Sequence, residues 1–167
     1  MHLTLLQGIA RNDRMDLILQ KAVELGIQVI QPIWMQRSHS RLKGERLEKR
    51  IHHWQGVITS ACEQCGRATL PQLSLPEDYI SCINAETVGD LRLMLQPDAR
   101  SCLRNLEKPA GGITILVGPE GGLAPEEQAL ARATGFTGIR IGPRVLRTET
   151  AALATLAGIQ TLWGDFC

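Results

Sequence analysis

Two stretches of this chain place glycine and proline beside ionisable groups in a way that suits a ligand pocket. The first is Gly118-Pro119-Glu120-Gly121-Gly122. The second is Ile141-Gly142-Pro143-Arg144-Val145-Leu146-Arg147-Thr148-Glu149-Thr150-Ala151. Glycine lets a backbone come close to a ligand and adopt positive φ. A loop with three glycines in five residues therefore presents mostly main chain. Glu120 and Glu149 bring carboxylates that can accept a proton or orient a cation. Arg147 brings a guanidinium that can stabilise developing negative charge. The competing reading is two ordinary strand-to-helix connections.

The flanking residues say which elements hold these loops. Residues 113–117 form a short, β-branched apolar run bounded by glycines, which predicts a fully buried strand. Pro125 followed by Glu126 and Glu127 opens a helix. A second short strand over 139–141 leads into the other loop. Thr148 is the N-cap candidate of the helix that follows, with Glu149 near its positive end. In open α/β sheets ligands bind at the carboxyl ends of strands, just ahead of helices. Two such units in succession predict one shared pocket.

The rest of the chain reads as alternating strand and helix. Residues 3–9 form an opening strand. Asn12 or Asp13 caps a helix with Met15, Ile18, Leu19, Ala22, Val23 and Leu25 on one face, and Gly26 stops it. Residues 27–35 form a strand in which Pro32 indicates an edge or a bulge. A polar loop, Arg37-Ser38-His39-Ser40-Arg41, runs into a helix with Leu47, Ile51, Trp54, Ile58 and Ala61 inside, ended by Gly66. Residues 68–90 hold strand fragments and a short helix, broken by Pro71, Pro76 and Gly89. Residues 91–95 form a strand and 101–106 a short helix. The last helix, about 148–163, is apolar on most sides and rich in alanine, which predicts burial on most sides and close approach of a neighbour. This order predicts an α/β fold with a mainly parallel sheet flanked by helices.

At 167 residues the chain has the length of one domain with a sizeable core. Hydrophobic residues make up 44% and charged residues 21%, which excludes a disordered chain. No apolar run reaches the length of a membrane span, and Met1-His2-Leu3-Thr4-Leu5-Leu6 is too short for a secretory signal. The net charge of +1 gives no global signature of a nucleic-acid binder, so any basic patch is local. The one local patch is Arg37, Arg41, Lys43, Arg46, Lys49 and Arg50. It reads either as a phosphate-contacting surface or as a solvated helix face. Arg67, just past a helix end, suits either the negative helix pole or an anionic ligand.

Five cysteines in no framework spacing fit reduced thiols in a cytoplasm. Cys62 and Cys65, three apart on a helix, would share a face. With His52 and His53 nearby they would open a zinc site. Structural zinc needs a second pair at matching spacing, so core thiols are the preferred reading and no metal is expected. No G-x-G-x-x-G or G-x-x-x-x-G-K-[ST] is present, which removes the dinucleotide and phosphate-loop readings.

Gly118-Pro119-Glu120-Gly121-Gly122, taken with Leu146-Arg147-Thr148-Glu149-Thr150-Ala151, resembles the knotted SPOUT methyltransferases. Glu63-Gln64-Cys65-Gly66-Arg67, Asp13-Arg14-Met15-Asp16 and Lys21-Ala22-Val23-Glu24-Leu25-Gly26 narrow the resemblance to the ribosomal RNA small-subunit methyltransferase E family. It covers nearly the whole chain.

That family methylates the N3 atom of a uridine in 16S ribosomal RNA. The resemblance implies a C-terminal trefoil knot, a homodimer, and S-adenosyl-L-methionine held by three loops. Here those are Leu95 and Gln96; Gly118, Pro119, Glu120, Gly121 and Gly122; and Ile141, Gly142, Val145 and Leu146 with Thr148, Thr150 and Ala151 of the following helix. Loss of the N3 proton builds negative charge on the base, which a cation must stabilise. Arg147 is the leading candidate, followed by Arg67 and Arg14, with Glu120 or Glu149 as base or as the group that orients an arginine. The plainer readings are an ion pair of Arg147 with Glu149 or Glu120, and a Glu120 that only fastens its loop.

Two departures from the family stand out. Its chains begin with a PUA-like barrel that binds RNA, expected to be absent here, so that 1–167 is the methyltransferase domain alone. Arg37, Arg41, Lys43 and Arg46 are then the expected contacts to 16S RNA or the small ribosomal subunit. The loop after the 91–95 strand has Gln96-Pro97 where relatives often have His before Pro, and glutamine cannot titrate. The non-enzymatic alternative is a dimeric RNA-binding or assembly module that keeps a cofactor pocket.

Overall fold

The computed structural model describes residues 1–38, 41–85 and 91–166. His39 and Ser40 of the polar loop, Gly89 and Cys167 lie outside them. The chain runs β1 (Leu3–Gly8), α1 (Asn12–Glu24), β2 (Val29–Trp34), α2 (Glu45–Cys65), β3 (Gln72–Leu73), β4 (Glu77–Asp78) and α3 (Tyr79–Asn84). It continues through β5 (Leu91–Leu95), β6 (Ile113–Val117), α4 (Pro125–Ala133), β7 (Thr137–Ile139) and α5 (Thr148–Trp163). Seven strands make one sheet in the order β3-β2-β1-β6-β5-β7, with β4 also on β2, and every pairing is parallel. The predicted α/β class and mainly parallel sheet are what the chain forms.

Alternation along the central strands sorts the core into two layers. Leu3 and Leu5 of β1 and Ile113, Ile115 and Val117 of β6 join the cluster that holds α1, α2 and α5. Leu6 and Leu116 point the other way, into the cluster of Tyr79, Cys82 and Ile83 of α3 and Ala131 of α4. Every residue of β1 and β6 is buried. Strands covered on both faces read as continuous apolar runs, which is why 113–117 was legible as one. Each fully buried Leu or Ile contributes about 1.5–3 kcal/mol from water exclusion.

Pro32 sits in register opposite Gln7, with no bulge. The Ile33 carbonyl accepts from Ile9, and the Ile30 carbonyl accepts from Ser74 on the other side. By alternation, Pro32 faces outward between the short strands β3 and β4. Its missing N–H therefore leaves no inner ladder bond unmade.

Four local expectations are corrected. Asn12 is the first residue of α1, not its cap, because Arg50 engages its side-chain oxygen and Arg11 takes the cap position. Residues 101–106 give only a bridge at Ser101 and one 3-10 turn, Leu103–Asn105. The last strand is Thr137–Ile139, so Ile141 belongs to the loop. Cys62 is buried while Cys65 is exposed, so only Cys62 is a core thiol. The glycine stops hold: Gly26 and Gly66 take φ of 80° and 75° after α1 and α2.

Helix α5 buries Ala152, Thr155, Leu156, Ile159 and Gln160 and leaves Thr150, Thr161 and Leu162 exposed. Among the described residues, no helix is long and apolar enough to cross a membrane.

Candidate active site

The carboxyl ends of β5, β6 and β7 open onto a cavity of about 400 Å³. Three loops wall it. Leu95, Gln96 and Pro97 come from the end of β5, Gly118 to Leu123 from the loop after β6, and Ile141, Gly142, Arg144, Val145 and Leu146 from the loop after β7. Arg147, Thr148 and Ala151 complete it at the start of α5. The two glycine-proline loops converge on one space, as their sequence predicted.

Glycine is required here for close approach. A Cβ on Gly118 would stand 2.9 Å from both the Gly122 carbonyl carbon and the Leu123 nitrogen, so the loop folds back on itself. Gly122 and Gly142 adopt φ of 68° and 77°, a region costly for other residues. Gly8 carries an equal constraint that its sequence did not announce. A Cβ there would lie 2.6 Å from the nitrogen and Cδ of Pro119. The end of β1 is thus pressed against the glycine-rich loop.

Thr148 does not cap α5; Arg147 occupies that position. The Thr148 hydroxyl donates instead to the Gly118 carbonyl at 2.6 Å and accepts from the Gln7 side chain at 3.0 Å. Gln7 is fully buried in β1, and its amide also donates to the Gly8 carbonyl at 2.8 Å. One hydroxyl therefore ties together β1, the loop after β6 and the start of α5. A buried hydroxyl with two partners is worth more there than at a solvated cap.

Both glutamates pair with an arginine, and it is Arg14, not the leading candidate Arg147. Arg14, on the first turn of α1, stands 3.5 Å from Glu120 and 3.9 Å from Glu149. Glu120 also accepts from the Arg11 main-chain N–H at 2.9 Å, fastening its loop to α1 rather than to itself. Glu149 is buried behind the cavity, and its second oxygen has no hydrogen-bond partner among the described residues. Arg147 lines the cavity, exposed, and neither glutamate holds it.

The remaining predicted residues divide. Gln96 is buried, with its amide donating to Gln128 at 2.6 Å and accepting from Arg132 at 3.1 Å. Thr150 is exposed and does not line the cavity. Arg67 lies at the other end of the sheet and donates to the Val23 and Ile27 carbonyls, so it braces the turn after α1. Arg37 does reach the cavity and donates to the Gly121 carbonyl at 2.8 Å. Arg41 is held by Asp78 at 2.8 Å, while Lys43 and Arg46 are exposed. Arg140, Arg144 and Gln128 also line the wall and were not singled out from sequence. Arg140 and Arg144 flank the Gly-Pro turn, a position that could have flagged them. Among the described residues, no group of three His, Cys, Asp or Glu side chains is placed to hold a metal ion.

Residues 1–160 match the family model described as the RNA methyltransferase domain. The chain belongs to this family. The matched segment contains every residue of the cavity wall. Among curated relatives, a ribosomal RNA small subunit methyltransferase E from Buchnera aphidicola is 32% identical over 166 residues, 99% of this chain. This chain spans 66% of that relative's length. Among solved structures, a ribosomal RNA small subunit methyltransferase E from Neisseria gonorrhoeae bound to S-adenosyl methionine superposes with a TM-score of 0.94 at 40% identity. It covers 100% of this chain and 68% of its own. A Legionella pneumophila protein in complex with the cofactor SAM gives a TM-score of 0.92 at 35% identity, covering 96% of this chain and 66% of its own.

Proposed function

We propose that this chain is the catalytic domain of an S-adenosylmethionine-dependent methyltransferase acting on the N3 atom of a uridine in 16S ribosomal RNA. The observation that carries the reading is the convergence of the two glycine-proline loops on one cavity, in a fold shared with relatives that bind this cofactor.

The cavity fits the group. Its volume lies in the range of small-molecule sites. Its walls join glycine main chain at Gly118, Gly121, Gly122 and Gly142 to apolar and basic side chains. Leu95, Gly118, Gly122, Ile141, Leu146 and Ala151 would hold the cofactor, which when bound supplies a methyl group on an electrophilic sulfonium. What the protein adds is position and charge. An in-line approach at near-attack distance removes much of the barrier. Arg147, exposed at the cavity wall, stabilises the anionic character of the uracil ring as its N3 proton leaves. Arg14 is the second cation. Glu120 and Glu149 are both engaged with it, which supports an orienting role for them over that of general base.

A homodimer is part of this reading. Leu153, Ala154 and Ala157 are half-buried on α5 beside the exposed Leu162, a stripe of small apolar groups suited to a second copy. The C-terminal trefoil knot and a cytoplasmic setting belong to it as well. Radiolabelled methyl transfer to 16S RNA or to small subunits tests the whole reading. Label in uridine from the wild-type chain, lost in Arg147→Ala, supports it. No label in the presence of bound cofactor favours a binding module.

A further inference from the structure

The cavity wall carries more positive charge than the proposed cofactor can use. Five arginines line it, Arg14, Arg37, Arg140, Arg144 and Arg147, against one carboxylate, Glu120. Arg14 is held by Glu120 and by the buried Glu149. The other four are exposed, and among the described residues no carboxylate forms an ion pair with them. Arg37 donates to the neutral Gly121 carbonyl, which leaves its charge uncancelled. The whole chain has a net charge of only +1, so these cations are concentrated at one place. S-adenosylmethionine carries a sulfonium and an ammonium against one carboxylate and is itself a net cation. Like charges gathered round its site repel it. The excess therefore suits a second ligand, and that ligand is anionic.

We propose that Arg37, Arg140 and Arg144 form a rim that holds backbone phosphates of the substrate RNA, and that RNA seated there favours the charged methyl donor over its neutral product. The assignment rests on the methyl-transfer reading above and says how its substrate is held; Arg147 is left to the base. Arg37 follows β2, while Arg140 and Arg144 follow β7, and the sheet order puts these strands on opposite sides of β6. Four strand spacings of about 4.8 Å separate them, roughly 19 Å. The rim thus flanks the cavity on two sides, and a strand laid across it brings a base over the opening. A guanidinium matches a phosphate with two parallel hydrogen bonds. The basic stretch that follows Arg37 is less available, because Arg41 is paired with Asp78 at 2.8 Å and Lys49 with Glu45 at 2.7 Å. Of that stretch, Arg37 alone lines the cavity. Phosphates on the rim cancel the charge that opposes the sulfonium. S-adenosylhomocysteine, a thioether with no net charge, gains little from them. Linkage makes the effect reciprocal, so bound donor tightens RNA more than bound product does.

The test uses a fluorescein-labelled oligouridylate, followed by anisotropy across a range of salt with no cofactor present. Arg140→Gln with Arg144→Gln should weaken binding about tenfold and flatten the slope of log affinity against log salt by about 1–1.5. Arg140→Lys with Arg144→Lys keeps both charges and should restore most of that slope. Lys43→Gln with Arg46→Gln, also at exposed positions, should change the slope by less than about 0.5. Calorimetry gives the second readout. The oligouridylate should raise the wild type's affinity for S-adenosylmethionine relative to S-adenosylhomocysteine by about twofold to fivefold at low salt. The Arg140→Gln, Arg144→Gln chain should lose most of that gain at an unchanged melting temperature. A slope untouched by the rim substitutions, a slope carried by Lys43 and Arg46 instead, or a donor-to-product ratio that RNA does not move overturns the assignment. Each of those results leaves the methyl-transfer reading standing. A wild type that binds no S-adenosylmethionine overturns that reading instead, and the anisotropy titration does not depend on it.

Discussion

The guanidinium of Arg14 stands 3.5 Å from the carboxylate of Glu120, joining the first turn of α1 to the glycine-rich loop across the mouth of the cavity. Glu149 approaches the same guanidinium at 3.9 Å from the far side. One arginine thus occupies both carboxylates that sequence alone offered to Arg147. This division of labour has consequences that mutants can separate.

Arg147→Ala should lower turnover by about 10²–10³-fold, the usual loss when one charge-stabilising group is removed, with little change in melting temperature. Arg14→Ala should also lose stability, because it leaves the buried Glu149 carboxylate without its cation. A double-mutant cycle of Arg14→Ala with Glu149→Gln checks this. The expected coupling is about 0.5–3 kcal/mol by urea unfolding, and none between Arg147→Ala and Glu149→Gln.

Thr148→Val removes one hydroxyl and strands two partners, the Gly118 carbonyl and the Gln7 amide. The expected loss is about 1–3 kcal/mol in urea unfolding. Thr148→Ser should recover most of it.

Gly8→Ala places a methyl group against the ring of Pro119. Overpacking of this kind costs about 1–3 kcal/mol. Because the strain falls on the loop that walls the cavity, cofactor affinity measured by calorimetry should fall along with the melting temperature. Gly56→Ala, at a helical glycine with open space around it, should leave cofactor affinity unchanged and raise the melting temperature slightly.

Much of this was legible in the sequence wherever one residue type answers to one local demand. The 113–117 strand, the glycine stops after α1 and α2, and Pro125 at the start of α4 all follow from neighbours within a turn or a strand. The errors share a cause. Thr148 has the chemistry of a cap, but Gly118 and Gln7, thirty and 141 positions away, offer its hydroxyl buried partners. Gly8 carries no local mark because its constraint comes from Pro119. Arg14 falls within a motif legible in the sequence, yet its pairing with Glu120 and Glu149 depends on the parallel order β2-β1-β6-β5, which no local pattern fixes.

Burial, with the nearby carboxylates Glu77 and Asp78, pushes the Cys82 thiol up to about 12, from an ordinary value near 9. Burial pushes the Tyr79 hydroxyl up as well. Both groups hold their protons more tightly folded than unfolded. Their contribution to stability is therefore complete below about pH 9 and is lost as pH rises through the raised values. Urea midpoints should hold from pH 7 to 9 and then fall. Cys82→Ala should flatten that fall. Iodoacetamide at pH 8 should modify the exposed Cys65 well before Cys82.

If α5 seats a second copy as proposed, the wild type should sediment as a dimer and Ala157→Arg, which puts a long cation into the small-residue stripe, as a folded monomer.

On the proposed function the loops after β6 and after β7 hold one methyl donor between them. Calorimetric titration with S-adenosylmethionine tests it most directly. One molecule should bind per chain, and Gly118→Val in the first loop and Leu146→Asp in the second should each weaken binding by about tenfold or more. Binding that is absent from the wild type, or that survives both substitutions unchanged, would contradict the account.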